Sequence, residues 1–219
     1  SRFTHKLKGR LQLGASLTFG EYILPRILGP FSSEYPHISV SMKVMNTTQI
    51  LDEILNHQLT FGLVEAQIHH PDVTTEEVLK DELKLILPAD HPLLALEKIT
   101  LKDVLAHPFV LREQGSGTRQ VMEEVMRDQG VEPNELNVVM ELGSTGAVKS
   151  AVESGLGLSI ISQSSVKHEQ ALGLLHVREI EGCLFTRAFH SVYLKSTILP
   201  ISAVVFLTFL RERDLSQWL

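Results

Sequence analysis

Two turns carry the residue types best suited to holding a small anion. They are Gly14-Ala15-Ser16-Leu17-Thr18-Phe19-Gly20 and Arg112-Glu113-Gln114-Gly115-Ser116-Gly117-Thr118-Arg119. Each follows an apolar, strand-like run and opens an amphipathic, helix-like one. Small hydroxyl residues at a helix start cap free backbone N–H groups. They also leave donors for an anion at the positive end of the helix dipole. The turns lie about a hundred residues apart, which suggests one small ligand held between two similar lobes. Thr47 and Thr48 stand at a further strand-to-helix turn, as do Ser144 and Thr145.

Every one of these residues has a plainer reading. Ser16, Thr47 and Ser144 serve equally well as ordinary N-caps. Arg119 pairs either with an anionic ligand or with Glu123 at i+4, an ion pair worth about 0.3–0.5 kcal/mol. Glu65, just past an apolar run ending at Val64, reads as solvent-facing. His69 and His70 are adjacent in a loop, and neighbouring imidazoles seldom converge on one ion without further ligands, so no metal site is expected. Cys183 reads as a small buried hydrophobe.

Catalytic signatures are missing from the pattern. The turn Gly115-Ser116-Gly117-Thr118 lacks the glycine spacing of a nucleophile elbow. It also lacks the lysine of a phosphate-binding P-loop, carrying Arg119 after Thr118 instead. Gly155-Leu156-Gly157 is too short for a dinucleotide fingerprint and precedes a strand instead of a helix. Neither an enzyme nor a cofactor is implied.

Composition narrows the class. The 219 residues suffice for one large domain or two α/β lobes, and the 43% hydrophobic content is ample for packed cores. A net charge of −6 argues against the chain gripping nucleic acid by itself, because phosphate contact needs a basic face. A single cysteine forbids an internal disulfide and is compatible with a reducing cytoplasm. The segment Ser1 to Lys6 has no apolar run, so it reads as neither signal nor anchor. Ile198 to Leu210 is too short to span a membrane and reads as a buried terminal helix.

The elements that would position these turns alternate. Lys8 to Ala15 has strand period, and Glu21 to Tyr35 has helical spacing with Pro25 near its start and Pro36 at its stop. His37 to Met45 is a strand, Asn46-Thr47-Thr48 caps a helix from Gln49 to Asn56, and Phe61 to Val64 is a buried strand. The same grammar repeats in the second half. Strands are expected at Leu83 to Pro88, Phe109 to Leu111, Asn137 to Leu142 and Leu156 to Ser162. Helices are expected at Leu101 to Leu105, Thr118 to Gln129 and after Ser144-Thr145. Long extended stretches, Val73 to Lys84 and Phe185 to Lys195, run between the halves, and a helix from Ile201 to Arg213 returns to the first. The expected fold is α/β with parallel strands and functional loops at their carboxyl ends.

At this point the chain resembles the effector-binding domain of LysR-type bacterial transcription regulators. The resemblance rests on Lys8 to Gly14, Tyr22-Ile23-Leu24-Pro25, Phe31 to Pro36, Phe61 to Val64, His91-Pro92-Leu93 and Ala147 to Ile160, and covers essentially the whole chain. It implies two Rossmann-like lobes joined by two crossover strands, the type-2 periplasmic-binding-protein fold. Lobe I would comprise residues 1–82 and 190–219, and lobe II residues 83–189. An N-terminal winged helix-turn-helix outside this sequence would contact DNA. The turn from Gly115 to Arg119 and Phe19 to Tyr22 look most like a subgroup concerned with sulfur assimilation or autotrophic carbon fixation. Carried over by position, effector contacts fall on Ser16, Thr18, Thr47, Thr48, Gln114, Ser116, Gly117, Thr118, Ser144 and Thr145. The implied partners are a small anionic effector, a sulfur oxyanion or short carboxylate, and further copies of the chain in a homodimer or homotetramer. The resemblance pairs the helices Glu21 to Tyr35 and Thr118 to Gln129 across a twofold axis; apolar side chains on these helices, for example Ile27 and Phe31 or Val121 and Val125, are candidate contacts, while some of them must face their own sheet instead. A solute-binding receptor of a transporter is the alternative with the same fold.

Overall fold

A computed structural model describes residues 6–219, so the reading of the extreme N-terminus lies largely outside the described residues. The chain divides into two compact units, residues 1–80 with 188–219, and residues 81–187. Two long strands, β4 (Val73–Pro88) and β9 (Phe185–Leu194), carry the chain from one unit into the other.

In the first unit, β1 (Gly9–Ala15) is central because its alternate residues Leu11 and Leu13 are fully buried. It pairs in parallel with β2 (Ile38–Val44) along its whole length, from Gly9 opposite Ile38 to Ala15 opposite Val44. On its other side it meets β3 (Gly62–Val64), which pairs antiparallel with β9. The first helical stretch is not one α-helix. A π-helical turn, Phe19–Ile23, leads into α1 (Leu24–Glu34), with Pro25 in its first turn, where no N–H is required. Then come α2 (Thr47–Leu55) and, from the end of the chain, α7 (Ile201–Glu212). The Ser202 hydroxyl of α7 donates to the Arg10 carbonyl at 2.6 Å and fixes that helix on β1.

An aromatic core sits under α1 and α7. Phe31 meets Phe206 and Phe209 edge-on, and Phe19 stacks on Phe189 at 4.5 Å. The opposite face of the sheet is covered by α2 through Ile50 and Ile54. Gly62 is the residue that admits this helix: a Cβ there would lie 2.6 Å from Ile50 Cγ2.

The second unit repeats the plan. Here β5 (Pro108–Arg112) and β6 (Asn137–Leu142) are parallel, with a register slip between Phe109 and Val110. The carboxyl half of β4 pairs antiparallel with β7 (Ser159–Ser162) and β8 (Leu175–Arg178). Gly157 lets the chain entering β7 pass β5, since a Cβ would stand 2.9 Å from the Pro108 carbonyl oxygen. The helices are α3 (Leu101–Leu105), α4 (Gly117–Asp128), α5 (Thr145–Glu153) and α6 (Lys167–Ala171). Phe109, Leu111, Met122, Met126 and Phe185 form the core on one face of the strands, and Val110, Val148, Val152 and Ile161 on the other. Neither α6 nor β8 was expected from periodicity.

Three side-chain expectations are corrected. Ile27 and Phe31 are completely buried in their own unit, Val121 is buried, and Val125 packs partly against the same core as Val121. The apolar stripes of α1 and α4 therefore serve their own sheets first. Cys183 is only partly buried, and burial pushes its thiol pKa up. Glu65 does not face solvent. No helix among the described residues is long and apolar enough to cross a membrane.

Candidate functional site

In the first unit, the loops after β1, β2 and β3 lie at one end of parallel strands and hold Ser16, Thr18, Thr47 and Thr48. The Ser16 backbone N–H donates to the Leu63 carbonyl at 2.9 Å, and its carbonyl accepts from Gly20 at 2.7 Å. Its hydroxyl is 0% exposed and lacks a hydrogen-bond partner, so Ser16 is not a side-chain cap. Thr47 is not the cap of α2 either; Asn46 is. The Asn46 side chain accepts the Gln49 N–H at 2.9 Å, while the Gln49 side chain accepts the Asn46 N–H at 3.0 Å. Thr47 follows as the first helical residue, 7% exposed, with Oγ1 unpartnered. Thr48 lies exposed in the same turn.

Glu65 is the residue that sequence reasoning misplaced. It is 1% exposed, and its carboxylate accepts the Thr18 backbone N–H, one of the donors at the start of the first helical stretch. A carboxylate is well placed at that positive end. Nothing in the local pattern distinguishes it from a surface glutamate after a short strand, because its burial comes from the neighbouring β1 loop.

The second unit supplies Gln114, Ser116, Gly117, Thr118, Ser144 and Thr145 from the loops after β5 and β6. Ser116 caps α4 by accepting the Arg119 N–H at 3.3 Å, and Ser144 caps α5 by accepting the Ala147 N–H at 3.0 Å. Gly117 is buried in the first turn of α4. Gln114 is exposed and lines an open hollow of about 700 Å³ with Arg119, Glu123 and Glu141, to which none of the capping hydroxyls contributes. Arg119 takes the ion-pair reading: Nε donates to Glu123 at 2.8 Å, and Nη1 to Glu141 at 2.9 Å and to the Arg112 carbonyl at 3.0 Å.

Two arginines stand behind the threonines, and the sequence reading passed over both as candidates. Nη1 of Arg112 donates to Thr145 Oγ1 at 3.1 Å, and Nη1 of Arg187 to Thr118 Oγ1 at 3.0 Å. Both guanidiniums are buried, at 3% and 7% exposure. Asp81 Oδ2 lies 3.1 Å from both Nε and Nη2 of Arg187. Burial nevertheless holds the Asp81 pKa above the usual carboxylate value, against the pull of Arg187 and of a Ser162 hydrogen bond. A signal existed for Arg187, since Phe185, Arg187 and Phe189 share one face of a strand by their spacing of two.

Hydroxyls on helix N-termini with cations beneath them are groups chemically able to hold a small polar ligand. Comparison with known proteins agrees with this architecture. The family model for the LysR substrate binding domain matches residues 4–214. The chain is 36% identical over 207 residues to the HTH-type transcriptional activator CmpR of Synechocystis, covering 94% of this chain and 67% of that one. It is 29% identical over 218 residues to the HTH-type transcriptional regulator CysL of Bacillus subtilis, covering 98% of this chain and 71% of that one. Among solved structures it is similar to the Synechocystis CcmR regulatory domain in complex with 2-PG. The TM-score there is 0.83 and the identity 31%, over 93% of this chain and 96% of that one. The chain spans about two thirds of CmpR's length, and its fold is the two-unit α/β architecture of these regulatory domains. With nearly every residue inside the family match, this chain belongs to the LysR substrate-binding domains, the effector-binding part of LysR-type regulators.

Proposed function

We propose that this domain senses a small anionic metabolite and that the anion is received by the helix N-termini after β5 and β6. The observation that carries this reading is the pair of buried guanidiniums donating to first-turn threonine hydroxyls. The 2-PG complex of the CcmR regulatory domain supports an anion, and the helix-turn-helix regulators CmpR and CysL support a regulator over a transporter's receptor. Effector contacts are assigned to Ser16, Thr18 and Thr47 in the first unit and to Ser116, Gly117, Thr118, Ser144 and Thr145 in the second. Thr48 and Gln114, both exposed, are the weaker members of that set. The regulator works in the cytoplasm, has no catalytic role, and acts as a homodimer or homotetramer. DNA contact belongs to a separate N-terminal domain, a reading that this domain's net charge of −6 supports, since phosphate contact favours a basic partner.

Calorimetry with 2-phosphoglycolate, sulfate, thiosulfate and short carboxylates tests the ligand class. Binding of neutral or cationic metabolites alone overturns it. For the regulatory role, footprints of the full-length regulator with and without the bound anion should differ in contacts or bend. Identical footprints would leave the domain without a sensing function.

A further inference from the structure

The first and last residues of the second unit, Asp81 and Arg187, form an ion pair with each other. Asp81 lies on β4 and Arg187 on β9, the two strands that carry the chain into and out of that unit. Arg187 Nε donates to Asp81 Oδ2 at 3.1 Å, and Nη2 lies 3.1 Å from the same oxygen. The arginine side chain is 2% exposed and the aspartate side chain 5%. A pair so deeply buried is a poor source of stability, because desolvation offsets most of the attraction and apolar residues of similar size often serve as well. What the pair holds in place is the better guide to its use.

Hydrogen bonds lead away from it in two directions. Arg187 Nη1 donates to Thr118 Oγ1 at 3.0 Å, in the first turn of α4. On the other side the Asp81 carboxylate accepts from the Ser162 hydroxyl at the end of β7. The Ser162 carbonyl accepts from Ser165 Oγ at 2.7 Å, and the Ser165 carbonyl from Lys149 Nζ of α5 at 2.8 Å. Every residue on this route is buried. In a low-dielectric interior such a network favours the single arrangement that satisfies all its members, so a displacement at one end is felt at the other.

We infer that Asp81 is a positioning residue which, acting through Arg187, locks the first turn of α4 to the two strands that leave the second unit. A slip of β4 against β9 would part the pair and release Thr118. Conversely, a ligand that rearranged the start of α4 would disturb both strands through the same contacts. The inference rests on the effector-binding reading for its purpose, while its geometry stands apart from the ligand's identity.

Amide hydrogen exchange of the whole domain, followed by NMR without ligand, tests the lock. Arg187→Met with Asp81→Leu removes both charges together, so neither is left buried alone. Exchange at Gln120 to Met122 should then rise by roughly tenfold through local opening. Rates in α3, capped by Thr100 and Asp103 outside this network, should stay as they were. Thr118→Val leaves the ion pair in place and should loosen the same amides, and adding it to the double variant should bring no further rise. Thr118→Ser, which keeps the hydroxyl, should keep the slow rates. Unchanged rates in α4, or a rise shared equally by α3, overturn the positioning role.

Calorimetry with sulfate and 2-phosphoglycolate tests the purpose. The Arg187→Met, Asp81→Leu domain should bind the better probe roughly tenfold more weakly, the scale of one hydrogen bond to a charged group. Full affinity with a loosened α4 overturns the link to the ligand. Failure of the unchanged domain to bind any anion overturns the effector reading instead, and the exchange rates still decide the role of Asp81.

Discussion

The two units answer one structural question with opposite charge. Each ends its parallel strands in loops that carry hydroxyls at helix starts. In the first unit the Thr18 N–H is already held by the Glu65 carboxylate, whereas in the second the Thr118 and Thr145 hydroxyls rest on arginines. The shared βα grammar therefore fixes where a ligand can be met but not which sign of charge meets it. An anion would compete with a tethered carboxylate in one unit and would find cations behind the donors in the other. On the function proposed above, the second unit is the one suited to receive an anion.

The largest test asks whether the units are separable at all. Phe31→Ala removes the ring around which Phe206 and Phe209 pack, and should cost about 4 kcal/mol in the first unit. Trp218, the single tryptophan, stacks on Phe209 and reports that unit by fluorescence during denaturant titration. Phe109→Ala in the second unit should shift this transition less; equal shifts would mean that the chain unfolds as one body and that the units are not independent.

Next in size is Arg187→Met, which strands the buried Asp81 carboxylate and should cost about 3 kcal/mol or more. Arg187→Met with Asp81→Leu should recover much of the loss. If the double variant is no better, the pair is not the reason for the cost.

Glu65→Gln probes the contrast itself. Losing a charged acceptor for the Thr18 N–H should cost about 1 kcal/mol of stability and should tighten sulfate binding, because the helix start is no longer occupied by an anion. Unchanged sulfate affinity would erase the distinction between the units. On the same scale, Thr118→Ala should weaken anion binding by about 0.5–1.5 kcal/mol, and Thr18→Ala by less. The reverse order in calorimetry would place the anion in the first unit.

The smallest expected effect is a pH dependence in the second unit. His91 Nδ1 accepts the Leu93 N–H at 3.1 Å and therefore needs the neutral ring. Burial first, then the His107 ring at 4.7 Å, holds the His91 pKa below its ordinary 6.5, although Asp90 pulls it up. A depressed folded pKa means stability that is present above 6.5 and lost as pH falls through the folded value. His91→Asn keeps an acceptor for the turn and should flatten thermal stability between roughly pH 7 and 5; an unchanged slope would assign it to another group.

Much of this was legible in the chain because it is local. The strand period of β1, the proline at the start of α1, the serine caps of α4 and α5 and the two long extended stretches all depend on neighbours in sequence. What escaped depends on distant partners. Glu65 is buried by a loop 47 residues away, and Arg112 meets Thr145 across 33. Asn46 displaced Thr47 as the cap because asparagine and Gln49 satisfy two backbone donors reciprocally, a local pattern that was there to be read. The stripe on α1 could not say from sequence which apolar side chains face the protein's own core, and Ile27 and Phe31 both do.

The order in which the chain is made gives the division of the first unit a further meaning. The second unit is one continuous stretch, whereas the first waits for its last strand and for α7, which arrive only with residues 188–219. During synthesis, residues 81–187 can close over their core while Leu11, Leu13 and Phe31 are still without Phe206 and Leu210. The nascent first unit is then a sheet with one apolar face bare. Premature termination before Ile201 would leave a folded second unit tethered to a sticky, incomplete neighbour, a natural substrate for chaperones and proteases.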